Sequence, residues 1–326
     1  MKAYVYEQGQ HEVKDIPIQD VGDEEVVVSL RVAGLNRRDL SIPNRMGDNK
    51  EALVLGSDGA GVIEAIGENV TDVAVGDEVI INPALRWNKN SDAPPEGFDI
   101  LGMPDHGTIA EKIVIHADQV EPKPAYLSWE EAGVLALASL TGYRALFTKG
   151  QVQKGDTVFI PGAGSGVATY MIQFAKAAGA RVIVTSRDEE KRKQAEKIGA
   201  DRALDTASNW PEELADETID LVIDSVGRAT FNRSLEVLKR GGKMVVFGAT
   251  TEDTVDLDIR SFFYGQYQLI GSTMGSREEL RALLTFMEKH DIHPVVGSTF
   301  PLDKVDEAFT FLQENKQIGK IAINIS

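Results

Sequence analysis

The sequence contains no cysteine. That absence excludes disulfide staples, thiolate nucleophiles and every cysteine-based zinc site at once, and it fits a reducing compartment, so a cytoplasmic location is expected. Nowhere do the roughly eighteen consecutive apolar residues of a membrane span occur. The opening stretch MKAYVYEQGQHEV lacks the basic start and apolar run of a secretory leader, so neither insertion nor export is expected. Positive charge is also scarce: 34 Lys and Arg face 51 Asp and Glu, a formal net charge of −17 that repels phosphate backbones and anionic lipid. Nucleic acid and membranes are therefore excluded as expected partners. What remains, 326 residues with an apolar content of 42%, is enough for two cores.

Residues 1 to about 120 carry short β-branched or alternating runs (EEVVVSLRVAG, GAGVIEAIG, DEVIIN, IAEKIVI) separated by glycine and aspartate turn signals. They predict a small, mostly antiparallel, barrel-like β domain, interrupted by a polar surface loop over residues 87–107. From about residue 125 a helical stretch, SWEEAGVLALASLTGYRALF, leads into near-continuous apolar strands (TVFIPG, ARVIVTS, IDLVIDSVG, KMVVFGAT, QLIGST) alternating with amphipathic helices. That pattern predicts a parallel sheet covered on both faces. A last helix, SREELRALLTFMEKH, precedes a return to β texture in IGKIAINIS. The expected class is α/β: a β domain over 1–124, completed by 275–326, with a doubly wound domain over 125–274 inserted into it.

Between the first parallel strand and its helix stand Gly162, Ala163, Gly164, Ser165, Gly166, Val167 and Ala168. In that context Gly162 permits a tight turn, Gly164 lets the backbone approach a pyrophosphate, and Ala168 lets helix and strand pack closely, while the helix N-terminus faces the anion. An isolated glycine triplet serves equally as a plain βα turn. The surrounding βαβ repeat is what favours dinucleotide binding. The next strand ends in Thr185-Ser186-Arg187, where an NAD site places an acid for the ribose hydroxyls. Ser186, Arg187 and Lys191 suit a 2′-phosphate instead, which makes NADPH the expected cofactor and NADH the less favoured one. The competing reading is an ordinary solvated helix start whose charge Asp188, Glu189 and Glu190 absorb.

Over nearly its whole length the chain resembles the medium-chain dehydrogenase/reductase superfamily. The match is carried by GLNRRDL (34–40), LGSDGAGVIEAIG (55–67), LASLTGYRAL (137–146) and VFIPGAGSGVA (158–168). The resemblance implies a GroES-like catalytic domain plus a Rossmann domain. It also implies a departure, because the positions that hold catalytic zinc in the alcohol dehydrogenases carry Asn36, Ser57 with Asp58, and Leu137, and the four-cysteine structural zinc lobe is replaced by the polar loop. No metal site is expected. His290 and His293, the other metal-like spacing, are explained by a helix end that favours cations.

What remains is similar to the zinc-lacking quinone oxidoreductase branch, which implies hydride transfer from NADPH to a quinone, enone or enal. By position, Asn36, Arg38 and Asp58 are the candidate catalytic residues. Arg38 stands either as an electrostatic donor or as a salt-bridge partner of Asp39 or Asp58, and because a guanidinium holds its proton so firmly it is a poor general acid. The resemblance further implies that Arg37 reaches the pyrophosphate, and that Thr141, Val226, Gly248, Thr250, Ser272 and Thr273 line the nicotinamide. A homodimer through the edge segment 267–273 is expected, with a covered edge in a monomer as the alternative. Two other functions stay open: reduction of simple aldehydes or ketones, and a non-catalytic NADPH-binding sensor.

Overall fold

Strand Glu25–Leu35 organises the first unit, because it is rich in valine and buried for most of its length. It pairs antiparallel with Asp58–Ile66, Lys112–His116 and Lys320–Asn324 in a seven-stranded sheet whose pairing is parallel only between Val296–Pro301 and Lys320–Asn324. The structure is a computed structural model and describes residues 1–47 and 51–326. A register shift between Leu30 and Val32 changes which side chains face which core. Before it, Val26, Val28 and Leu30 pack with Ile63, Val79, Ile81 and Ile113. After it, Ala33 and Leu35 pack with Leu53, Leu55, Ile321, Ile323 and Phe309. Each fully buried aliphatic side chain contributes about 1.5–3 kcal/mol.

Helix Trp129–Gly133, started by the Ser128–Glu131 capping box, lies against this strand. Gly34 is what permits the approach: a Cβ there would stand 2.7 Å from the Gly133 carbonyl oxygen and 2.9 Å from the Val134 Cα. Helix Arg277–Lys289 begins with a second capping box, Ser276 with Glu279, and buries Leu280, Leu283 and Met287 on one stripe. Residues 87–107 are more than a surface loop. Asn88–Gly97 is exposed, but Trp87 and Leu101 are buried, and Ala84–Leu85 pairs with Asp99–Ile100 in a short hairpin.

The compact units are Met1–Ala138 with Gly275–Ser326, and Ser139–Met274. Residues 125–138 thus fall in the first unit, where Val134 packs on Val32 and Ala322. The second unit is a Rossmann fold. Its six strands are all parallel, in the spatial order Arg202–Asp205, Arg181–Ser186, Thr157–Pro161, Ile219–Asp224, Leu238–Val246, Gln268–Gly271. Thr157–Pro161 is buried at every residue, as expected of a strand covered on both faces. No helix among the described residues is long and apolar enough to cross a membrane.

Candidate active site

Sheet register places three polar residues at one end of neighbouring strands. Leu35 pairs with Ile321, and Gly34 pairs with Asp58, so Asn36, Asp58 and Lys320 converge where their strands begin or end. Asn36 Nδ2 donates to Asp58 Oδ2 at 2.9 Å. Lys320 Nζ donates to Asn36 Oδ1 at 2.6 Å, to Asp58 Oδ2 at 3.0 Å and to the Leu35 carbonyl at 2.9 Å. The backbone N–H of Leu137 closes the other Asp58 oxygen at 2.7 Å. Asp58 is fully buried and Lys320 is 3% exposed, so the pair is desolvated and every charge in it is matched.

Beside this group Arg38 Nη1 donates to Ser57 Oγ at 2.7 Å and to the Leu101 carbonyl at 2.8 Å. The salt bridge offered as one reading of Arg38 is absent: neither Asp39 nor Asp58 is within ion-pair distance of it among the described residues. Asp58 is taken by Lys320, and Asp39 turns back to accept from the Asn36 backbone N–H at 2.7 Å. Burial holds the Arg38 guanidinium below its ordinary pKa and pushes Asp39, whose Oδ1 has no partner among the described residues, up to about 6. Arg37 is exposed and donates to Asn315 Oδ1 at 2.5 Å.

In the second unit the glycine turn runs from strand Thr157–Pro161 into helix Gly166–Ala177. Gly162 has φ of +89°, a conformation glycine adopts without strain. Ser165 caps the helix by accepting from the Ala168 N–H at 3.1 Å. Gly164 is overlain by Lys191, whose Cδ would stand 2.4 Å from a Cβ at that position, so the turn and Lys191 are brought together. Ser186 ends its strand, and its hydroxyl accepts from the Asp188 N–H at 3.2 Å, while Arg187 is exposed. The neighbouring acids are occupied elsewhere, since Asp188 caps helix Glu189–Lys197 and Glu189 pairs with Lys193 at 2.8 Å.

Val226 and Gly227 follow strand Ile219–Asp224, their N–H groups held by the fully buried Asp224 carboxylate. Thr250 and Gly248 lie over Ser225: the Thr250 N–H donates to the Ser225 carbonyl at 3.3 Å, and a Cβ on Gly248 would meet that oxygen at 3.4 Å. The Ser272 N–H reaches the Val246 carbonyl at 2.9 Å, but its hydroxyl is buried with no partner among the described residues. Thr273 follows Ser272, partly buried, and Thr141 is buried in helix Ala136–Tyr143. His293 pairs with Glu131 at 2.7 Å, and His290 ends helix Arg277–Lys289. Among the described residues no group of three or more His, Cys, Asp or Glu is placed to hold a metal ion.

Lys320 escaped the sequence reading. Its one signal was a lone lysine ahead of the apolar run Ile321–Ile323, directly after Gly319.

This geometry has counterparts among known proteins. The family model described as "Alcohol dehydrogenase GroES-like domain" matches residues 22–125, and "Zinc-binding dehydrogenase" matches 166–289. The chain is 32% identical to Zinc-type alcohol dehydrogenase-like protein C1773.06c of Schizosaccharomyces pombe, over 98% of this chain and 96% of that protein. A crystal structure titled as an NAD-dependent alcohol dehydrogenase superposes with a TM-score of 0.94 at 35% identity, covering 100% of both chains. The 2-octenoyl-CoA carboxylase reductase CinF, solved with NADP and 2-octenoyl-CoA, superposes with a TM-score of 0.89 at 25% identity, over 99% of this chain and 87% of that one. The chain belongs to the medium-chain dehydrogenase/reductase superfamily and is an oxidoreductase.

Proposed function

We propose that the protein is a zinc-independent, NADPH-dependent reductase acting on a quinone or an α,β-unsaturated carbonyl compound. The observation that carries this reading is the ion pair of Lys320 with Asp58. Asp58 is the one anionic donor at the positions that hold zinc in the alcohol dehydrogenases, and an ammonium 3.0 Å away already neutralises it. Asn36 and Ser57 are neutral oxygen donors and the Leu137 side chain has none, whereas catalytic zinc takes three histidine, cysteine or carboxylate ligands. The donor set does not fit the metal.

An isolated carbonyl must be polarised more strongly than a conjugated one to accept hydride, a task a Lewis acid performs in the zinc enzymes. A conjugated acceptor spreads the developing charge over its own π system. When bound, NADPH would supply a hydride, two electrons with one hydrogen nucleus, to the electrophilic carbon of the acceptor. Charge then gathers on the acceptor oxygen, where the Asn36 N–H and the Arg38 guanidinium are the available donors, and a proton from solvent completes the reduction.

The dinucleotide reading is supported by the left-handed Gly162, by Lys191 over Gly164, and by the orphaned Ser272 hydroxyl, a suitable partner for a nicotinamide carboxamide. Ser186, Arg187 and Lys191, with no acid at the strand end, support NADPH, and CinF is a neighbour solved with NADP. The absence of cysteine supports a cytoplasmic location. The exposed edge strand Gln268–Gly271 beside helix Ile259–Gly265 supports a homodimer.

The test is cofactor oxidation over a panel of a quinone, an enal, an enoyl thioester and a simple aldehyde, with metal analysis of the same sample. Turnover of conjugated acceptors that survives chelation is expected. Stoichiometric zinc, or aldehyde turnover equal to that of the enal, overturns the reading. No turnover of any acceptor favours a sensor.

A further inference from the structure

The side-chain amide of Asn36 lies between a group that only donates and a group that only accepts. The ammonium of Lys320 meets Oδ1 at 2.6 Å, and the carboxylate of Asp58 meets Nδ2 at 2.9 Å. A flipped amide would set Nδ2 against the ammonium and Oδ1 against the carboxylate, losing both bonds. Lys320 has no slack in this arrangement, because its three N–H groups are used by Leu35, Asn36 and Asp58. Asn36 is 6% exposed, and its second Nδ2 hydrogen has no protein acceptor among the described residues.

We propose that Lys320 is a positioning residue that locks Asn36 so that its remaining Nδ2–H is the one polar group it offers a substrate. Asn36 then acts on substrate only as a hydrogen-bond donor and selects ligands that present an acceptor oxygen. The positive end on Oδ1 also polarises the amide, which strengthens the donor at Nδ2. The ammonium thus works on the substrate through an amide, one bond removed. This inference rests on the reductase reading for its catalytic consequence, but not for the orientation itself.

Two measurements separate the two. In the first, the side-chain 15N–H2 pair of Asn36 is identified by its loss in Asn36→Ala and then followed in Lys320→Met and Lys320→Arg. It should shift in Lys320→Met and return toward its original position in Lys320→Arg, which keeps a donor. An unmoved resonance in Lys320→Met overturns the proposal whether or not any acceptor is reduced. In the second, Lys320→Met is combined with Asn36→Ala and kcat is measured on an enal, with NADPH affinity by fluorescence titration.

If Lys320 acts through Asn36, it lowers kcat in the wild-type background and has an effect near 1-fold when Asn36 is already alanine, with the NADPH Kd unchanged. An equal loss in both backgrounds, or a loss matched by weaker NADPH binding, overturns the proposal. Wild-type protein that reduces no acceptor fails the reductase reading alone, and the resonance measurement still decides the orientation. Because Lys320→Met leaves a buried carboxylate without its partner, the neutral pair Lys320→Met with Asp58→Asn replaces it in both measurements if the single variant does not fold. In that pair the Asn36 resonance should again shift and kcat should again fall only while Asn36 is present.

Discussion

Arg38 reaches Ser57, its Nη1 2.7 Å from the serine Oγ, and among the described residues no carboxylate is within ion-pair distance of that guanidinium. Its other contacts are backbone carbonyls, those of Leu101 at 2.8 Å and Ile100 at 3.5 Å. The arginine is thus fixed by neutral acceptors, and its charge is not spent on a partner anion. A half-buried cation in that state stabilises negative charge that develops on a nearby oxygen.

Replacing Arg38 by methionine removes that charge while keeping much of the aliphatic volume. Loss of a single preorganised donor costs about 100-fold in kcat, or about 2.7 kcal/mol. We expect a loss of that size for both a quinone and an enal under steady-state conditions with NADPH. Unchanged rates for both acceptors would remove Arg38 from the mechanism and leave it as an anchor of the 100–101 segment.

Cofactor choice is tested at Arg187 and Ser186. A charge-assisted hydrogen bond contributes about 1.5–3 kcal/mol, so Arg187→Leu should lower kcat/KM with NADPH roughly 10- to 100-fold and leave NADH nearly untouched. Ser186→Asp should push the ratio further toward NADH by opposing the 2′-phosphate. Equal kcat/KM for the two nucleotides in the wild type would defeat the assignment.

The proposed homodimer is tested at strand Gln268–Gly271, the edge of the parallel sheet, where Leu269 is 43% exposed and the helix before it exposes Ile259, Phe263 and Tyr264. An apolar open edge invites a second copy, and a lysine on it blunts pairing. Light scattering should give the wild type twice the 35.5 kDa chain mass, and Leu269→Lys with Tyr264→Lys should bring it to one chain. A monomeric wild type rules this interface out.

Local chemistry was readable in the residues; long-range pairing was not. The turn at Gly162 and Gly164 and the apolar parallel strands announce themselves through spacing and periodicity, since each depends on neighbours in sequence. Asn36, Asp58 and Leu137 were legible as a group only through the family motifs. Lys320 joins them across 284 positions, by a register between strands that a lone lysine in IGKIAINIS does not reveal. For Arg38 the sequence left two readings, an electrostatic donor or an ion-pair partner of Asp39 or Asp58; those acids turn to the Asn36 backbone and to Lys320, and Arg38 meets Ser57 and backbone carbonyls that no composition encodes. Trp87 was assigned to a polar loop on the strength of the residues after it, although its own side chain is 1% exposed.

Asp39 is the residue whose titration should be measurable in stability. It is fully buried, one of its oxygens has no partner among the described residues, and burial lifts it from 3.8 to about 6. Below about pH 4 the carboxyl is protonated in both folded and unfolded chains and contributes no pH dependence. Between about pH 4 and 6 the unfolded chain has released the proton while the folded one retains it, so folding stability falls as pH rises, and above about 6 the penalty stays constant. A shift of this size corresponds to roughly 1–3 kcal/mol. Asp39→Asn keeps an oxygen for the Asn36 N–H and carries no charge to desolvate. Chemical denaturation should therefore find it more stable than wild type at pH 7.5, with the gap closing as the pH is lowered to 4. A variant that is less stable at pH 7.5, or a gap that does not change with pH, would show that Asp39 is accommodated as a carboxylate in the folded protein.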